Sequence, residues 1–195
     1  GIDGKALRFM DTTEIGGQVT APAAPIIERT FSAWVRSSSR RTEMDAKADN
    51  PYPRFIHGFC RSGTGGYSTF SDSAGYSRAF VFQPAGSAAA KTVSDYGVAE
   101  FDTWSHLTLV ERFDENGKGV ADLYVNGEAV DCEIHDPYDL EVLQGPVTFF
   151  VGNNGEFAST RYFCGDLDEF RLYNYALSAD EVRRLYRGLA KIDAG

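Results

Sequence analysis

Along most of this chain apolar and polar residues alternate one by one, and the runs are cut by clusters of Gly, Pro, Asn and Asp. Successive side chains of a strand point to opposite faces, so a period-two pattern gives each strand one apolar and one wet side. Many short strands joined by turns are therefore predicted, and helix is expected to be rare. In Thr30-Phe31-Ser32-Ala33-Trp34-Val35-Arg36, residues 31, 33 and 35 share the expected core face. Trp104–Val110 repeats the pattern, with Leu107 and Leu109 on one side and His106, Thr108 and Val110 on the other. Glu115–Gly119 should turn the chain into Asp122–Val125, which runs into Asn126-Gly127. Asn-Gly suits a type I′ hairpin turn because both central residues need positive φ, and Glu128 to Cys132 is the expected returning strand.

Further strands are expected at Ala6–Met10, Phe55–Phe59, Tyr76–Gln83, Val147–Val151 and Tyr162–Tyr173. The set fits an all-β domain of two packed antiparallel sheets, read as a single unit over residues 1–195. Ser37–Pro53, rich in charge and Pro, reads as one long exposed loop, and Gly63–Gly66 and Ala85–Lys91 look similar. One short C-terminal helix is predicted. Ser178 and Glu181 form a capping box, in which each side chain accepts a hydrogen bond from an otherwise unpaired backbone N–H. Val182, Leu185, Tyr186 and Leu189 then make an apolar stripe, with Arg183, Arg184 and Arg187 on the wet side.

With 43% hydrophobic residues the chain has enough apolar surface to offset the entropy lost on folding. A net charge of −9 argues against nucleic acid, whose affinity comes from clustered Lys and Arg. No apolar run reaches the roughly 18 residues that a membrane span needs. The chain begins Gly1-Ile2-Asp3-Gly4 without an initiator Met, which reads as a processed or subcloned piece whose native N-terminus, with any signal peptide, is missing. Cys60, Cys132 and Cys164 fit one disulfide plus a thiol, or three buried thiols; Cys132 and Cys164 flank the C-terminal strands and are the preferred pair if a bond forms. No CxxC or Cys/His spacing points to zinc.

Cys164-Gly165-Asp166-Leu167-Asp168-Glu169-Phe170-Arg171-Leu172-Tyr173-Asn174-Tyr175-Ala176-Leu177-Ser178, leading into the helix, resembles the C-terminal signature of laminin G-like jelly rolls in the concanavalin A-like lectin superfamily. Lys5–Met10, Thr30–Arg36, Trp104–Val110 and Leu123–Val130 follow in the family's order, so the resemblance spans nearly the whole chain. It implies a two-sheet antiparallel jelly-roll sandwich, recognition through a concave face or edge loops, frequently a calcium ion, and a place in a secreted or surface protein. A shared scaffold does not transmit a ligand.

Calcium takes six to eight oxygens, so a site needs carboxylates and carbonyls converging from separate segments. Asp168 matches the Asp of the family's Asp-Glu step, and Asp11 would approach it if the terminal strands pair; Met10-Asp11-Thr12-Thr13 departs from the family's Phe-Asp-Gly opening. Leu167 and Phe170 have opposite parity, which predicts a bulge at Asp168–Glu169. The competing reading is that Asp168 accepts backbone hydrogen bonds at a strand crossover.

Glucanases of this fold carry carboxylates at i, i+2 and i+4 on one strand face. Here Asp166 and Asp168 are followed by Phe170, so the triplet is lacking and no catalytic residue is assigned. His57, His106 and His135 come without a Gly-x-Ser-x-Gly elbow, and His106 is expected on a sheet face beside a polar neighbour.

For carbohydrate, Tyr52, Tyr67, Tyr76 and Tyr96 stand beside Gly, Ser, Asp or Pro in expected loops or strand ends, where a ring can stack on a sugar. Ordinary half-buried packing is the competing reading for each, and Trp34 and Trp104 are expected to pack in the core or on a sheet face. Arg40 and Arg41 in the long loop would meet an acidic sugar or protein, or be a solvated charge cluster.

The expectation is thus a non-catalytic recognition module for glycan or protein, with calcium as the implied cofactor, carried in a larger multidomain protein at an extracellular, periplasmic or cell-surface location. A structural or adhesion spacer and a glycoside hydrolase are the alternatives.

Overall fold

Alternation in residues 29–37 produces a nine-residue strand whose Phe31, Ala33 and Val35 are buried, and the same logic builds the rest of the architecture. The computed structural model describes residues 7–9, 17–21, 26–39, 54–61, 67–72, 80–84, 89–95, 97–143, 147–152 and 163–188. In chain order the strands are β1 (Leu7–Phe9), β2 (Gly17–Ala21), β3 (Arg29–Ser37), β4 (Arg54–Arg61), β5 (Tyr67–Asp72), β6 (Phe80–Gln83) and β7 (Thr92–Ser94). They continue as β8 (Ser105–Phe113), β9 (Gly119–Val125), β10 (Glu128–Ala129), β11 (Cys132–His135), β12 (Val147–Val151) and β13 (Gly165–Tyr173), followed by helix α1 (Ala179–Tyr186).

Two sheets result, one of six strands in the order β1-β13-β3-β8-β9-β10 and one of seven in the order β11-β7-β6-β5-β4-β12-β2. Every pairing within them is antiparallel. Leu107, Leu109, Leu123 and Leu167 of the first sheet meet Ile56, Phe80, Phe82 and Val151 of the second in one buried core. This is the expected two-layer jelly roll with its small C-terminal helix.

Asn126 and Gly127 take φ of 52° and 82°, as the I′ turn requires, and Val125 pairs with Glu128 across it. The returning strand is shorter than expected. β10 stops at Ala129, and after Val130-Asp131 the chain enters the other sheet as β11, so Cys132 pairs with Ser94 rather than continuing the hairpin.

That crossing also corrects the cysteine pairing. Cys132 opens β11, which lies against β9, whereas Cys164 precedes β13; β3 and β8 stand between β13 and β9. Three strand spacings come to about 14 Å, far beyond the roughly 4.4–6.8 Å between Cα atoms that a disulfide needs. Neither is in a disulfide, and burial, with Asp95 nearby, pushes the Cys132 thiol up to about 11.

At the end of the sandwich where β3 begins, a charged pair is buried between the layers. Arg29 and Glu111 stand opposite each other in β3 and β8, with side chains 5% and 4% exposed. Arg29 Nε and Nη2 donate to the two Glu111 oxygens at 2.7 and 2.6 Å, and Tyr138 Oη donates to Glu111 at 3.0 Å. Arg29 Nη1 also donates to the Glu141 carbonyl at 3.2 Å, and Ile26 bridges to Leu143, so the network holds segment 138–143 against the first sheet. Removing one partner of such a pair leaves an uncompensated buried charge. Glu111→Gln is expected to lower unfolding free energy by about 3–5 kcal/mol, read by urea denaturation at neutral pH. A loss below about 1 kcal/mol would mean that Arg29 finds other partners.

Candidate functional site

Helix α1 decides which surfaces are open. Ser178 caps it at φ −69° and ψ 160°, with Glu181 N donating to Ser178 Oγ at 3.4 Å and Ser178 N donating to Glu181 Oε2 at 2.7 Å. Leu177, Val182 and Leu185 then pack on Val110 of β8 and Tyr124 of β9, on the outer side of the six-stranded sheet. Leu177 N donates to Thr30 Oγ1 at 2.9 Å, which ties the approach to the helix down onto β3. Tyr186 closes over the hairpin turn, where a Cβ on Gly127 would sit 3.0 Å from its ring.

Beneath this cover lies His106, 4% exposed, with Nε2 at 2.9 Å from Ser32 Oγ, the polar neighbour expected for it. Trp34 and Tyr186 ring it at centroid distances of 5.2 and 5.9 Å. Burial, with a smaller contribution from the Arg171 charge, lowers its pKa to about 4, so it is neutral at physiological pH. A Ser–His contact can suggest an activated nucleophile, but Ser32 is fully buried and His106 Nδ1 has no partner among the described residues to orient it. The pair is packing, not catalysis.

Beside the helix, the outer side of β13 and β3 carries charge. Arg36 Nε donates to Asp166 at 2.8 Å, Arg36 Nη2 contacts the same oxygen, and the guanidinium lies 5.3 Å from the Trp104 ring. Trp34 and Trp104 are both half-buried, and Trp104 stands just ahead of β8 rather than within it.

Asp168 lies opposite Trp34, and the predicted irregularity follows it: register shifts between Asp168 and Arg171, with Glu169 at φ 48°. Asp168 Oδ1 accepts from Glu169 N at 2.9 Å within that bulge. The terminal strands do pair, Phe9 with Gly165. Asp11 lies outside the described residues, and among the described residues no three His, Cys, Asp or Glu gather to hold a metal. Those residues by themselves do not form a calcium site.

The seven-stranded sheet is different. Phe80, Phe82, Thr92 and Ser94 face the core while Val81, Gln83 and Val93 are half-buried on the far side, which fixes the parity of the whole sheet. Register then carries the parity of Val81, Gln83 and Val93 along three rows of positions. The middle row runs Gln18, Phe150, Gly58, Thr69, Gln83 across β2, β12, β4, β5 and β6. A second row holds Thr20, Thr148, Cys60 and Tyr67, and a third Phe55, Ser71, Val81, Val93 and Ile134. None of these residues is charged, in a chain whose residues are 24% charged. Beside Gln83, at the end of the middle row, stands Lys91, whose Nζ lies 3.8 Å from Asp136.

Of the residues expected from sequence, Tyr67 begins β5 opposite Cys60 and belongs to this face. Tyr52, Tyr76, Tyr96, Arg40 and Arg41 lie outside the described residues. The central row was missed. Its one sequence signal is Gly58 inside an otherwise strand-like run, a position that leaves room for close approach.

The family model of the concanavalin A-like lectin/glucanases superfamily matches residues 12–183. Among solved structures, the chain is similar to a native heptameric SAP-like pentraxin from Limulus polyphemus, with 15% identity and a TM-score of 0.63 over 86% of this chain and 72% of that one. It is also similar to the CBM40 of a Ruminococcus gnavus IT-sialidase bound to α2,3-sialyllactose, at 12% identity and a TM-score of 0.56, covering 83% of each chain. A Trypanosoma rangeli sialidase matches at 17% identity and a TM-score of 0.58 over 87% of this chain, which spans only 24% of that enzyme. At these identities the likeness is one of fold. No curated protein matches the chain significantly.

The buried imidazole has a measurable consequence. Its folded pKa of about 4 lies below the unfolded value near 6.5. Above 6.5 neither state binds the proton; between 6.5 and 4 only the unfolded state does, so stability falls as pH drops through that window and levels off below it. At pH 5.5 the loss relative to pH 7.5 should be about 1 kcal/mol from this group. His106→Asn should flatten that part of the pH dependence in denaturation at both pH values; an unchanged slope would assign it elsewhere.

Proposed function

We propose that this chain, which belongs to the concanavalin A-like lectin/glucanases superfamily, is a non-catalytic module that binds glycan through the outer face of its seven-stranded sheet. The observation that carries the reading is the row of uncharged positions that register aligns from β2 to β6. A pyranose offers an apolar ring face and a rim of hydroxyls, and a row that places an aromatic residue, a glycine, a hydroxyl and two primary amides side by side has the chemistry to meet both. The sugar-bound structure among its fold neighbours supports the same reading. We place the module in an exported protein, as the family resemblance implies.

Hydrolysis is disfavoured by what the carboxylates do. Asp166 is held by Arg36 and Asp168 accepts from its own bulge, both on the opposite side of the sandwich from the row. Release of reducing sugar from a bound glycan would overturn the non-catalytic assignment.

Phe150→Ala and Gln83→Ala are expected to weaken retention on an immobilised glycan by about tenfold or more, the usual cost of losing a central contact. The melting temperature should change little, because both positions lie on the outer face. Retention equal to that of the unaltered chain would remove this face from the site.

Calcium at Asp168 is a separate proposal. If the ion binds the native state, a chelator lowers the melting temperature and added calcium restores it. Because Asp168 belongs to the other sheet, glycan retention should be the same in chelator and in calcium. A melting curve indifferent to both additions would rule the ion out.

A further inference from the structure

We infer that α1 is an acid-released strap: it lifts off the six-stranded sheet by itself, turning about the point where Thr30 holds its approach, while the sandwich beneath stays folded. The approach is clamped. Thr30 Oγ1 donates to the Tyr175 carbonyl at 2.9 Å and accepts from Leu177 N at 2.9 Å, and Thr30 is fully buried. Beyond that clamp the hold is thin, because only Val182 and Leu185 of the eight helical residues are buried.

The floor under the helix is polar. Ser32, His106 and Thr108 are each at most 4% exposed, and among the described residues His106 Nδ1 and Thr108 Oγ1 have no hydrogen-bond partner. Tyr186 covers the imidazole at a ring distance of 5.9 Å, and Thr108 stands in register with Tyr124, on which the helix packs. A buried polar atom without a partner weakens the seat of whatever covers it. A helix of eight residues does not persist in water once released, so lifting and melting are one event.

Acid acts through the imidazole, whose surroundings offer a proton no counter-charge. Ser32 and Trp34 of β3, Thr108 of its own strand, Asn126 of the hairpin turn and Tyr186 of α1 are neutral. From β13 comes the Arg171 guanidinium, which repels a second cation although it also pairs with Glu169. Asp168, the carboxylate of the same row, stands beyond Trp34. Arg112 of β8 and Asp122 of β9 hold each other. Of the charges on α1, Glu181 caps Ser178, Arg183 bridges Asp180 and Glu128 of β10, and Arg184 donates to the Asp180 carbonyl.

Covered, the imidazole has its pKa at about 4; uncovered, it returns toward 6.5. Lifting therefore takes up a proton between those values, and the ratio of lifted to seated straps rises about 30-fold from pH 7.5 to pH 5. Ser178 holds the Glu181 carboxyl below its usual range, so the cap stays ionised in that window. What lifting bares is His106 and the Val110–Tyr124 seat, a surface closed at neutral pH.

Hydrogen–deuterium exchange of the full chain is the test. Amides of residues 182–186 are expected to exchange faster than those of β8 at pH 7.5, at a rate that low urea leaves unchanged. Their protection, corrected for intrinsic rates, should fall about 30-fold by pH 5. His106→Asn should make that protection the same at both pH values. Thr108→Val, which puts a methyl where the partnerless hydroxyl stands, should raise it at pH 7.5. Exchange of 182–186 in step with β8, both rising with urea, would mean that the helix leaves only when the whole domain unfolds and would overturn the inference. So would equal protection of the unaltered helix at pH 7.5 and pH 5, or a Thr108→Val chain whose helix is less protected than the unaltered one.

Discussion

One extra residue in β13 holds the six-stranded sheet in register. Leu167 and Leu172 are five positions apart and would fall on opposite faces of a regular strand. The bulge between Asp168 and Arg171 absorbs the difference, so that Leu167 pairs with Val35 and Leu172 with Phe31, both inward-facing residues of β3. Phe170, within the bulge, reaches the core edge with its ring centroid 5.1 Å from that of Phe31. Glu169 takes the left-handed conformation that permits this, and Asp168 anchors it from the side chain. The seven-stranded sheet packs on those same inward residues, so its position depends on a register set in the other layer.

A second constraint separates the two outer faces. On the six-stranded sheet, charge and aromatic rings are paired off, Arg36 with Asp166 and Trp34 with His106 and Tyr186, and the helix seals the part over β8 and β9. The seven-stranded sheet puts its uncharged residues outward instead. At the β7–β11 end of that sheet Lys91, one residue before the buried Thr92, reaches Asp136 at 3.8 Å.

Much of this architecture was legible in the sequence because the strongest signals are local. The parity of Phe31, Ala33 and Val35, the Asn126-Gly127 turn and the Ser178–Glu181 box each act within a few residues, and each has its expected form. The bulge was visible as a break in parity. What could not be read depends on distant partners: Arg29 and Glu111 are 82 residues apart, and nothing nearby marks either as buried. β10 and β11 look like one strand in sequence, yet the chain changes sheets at Val130-Asp131, and the cysteine pairing drawn from proximity to the last strands failed for that reason. The central row escaped because it is assembled from five strands, each contributing one unremarkable residue.

With α1 seated on β8 and β9 and Tyr186 folded over Gly127, the helix covers that part of the six-stranded sheet. On the proposed glycan reading, a module of this kind would hold one stretch of polymer at a time, and firm attachment to a repetitive surface would then depend on copies tethered in series, where each capture raises the local concentration seen by the next.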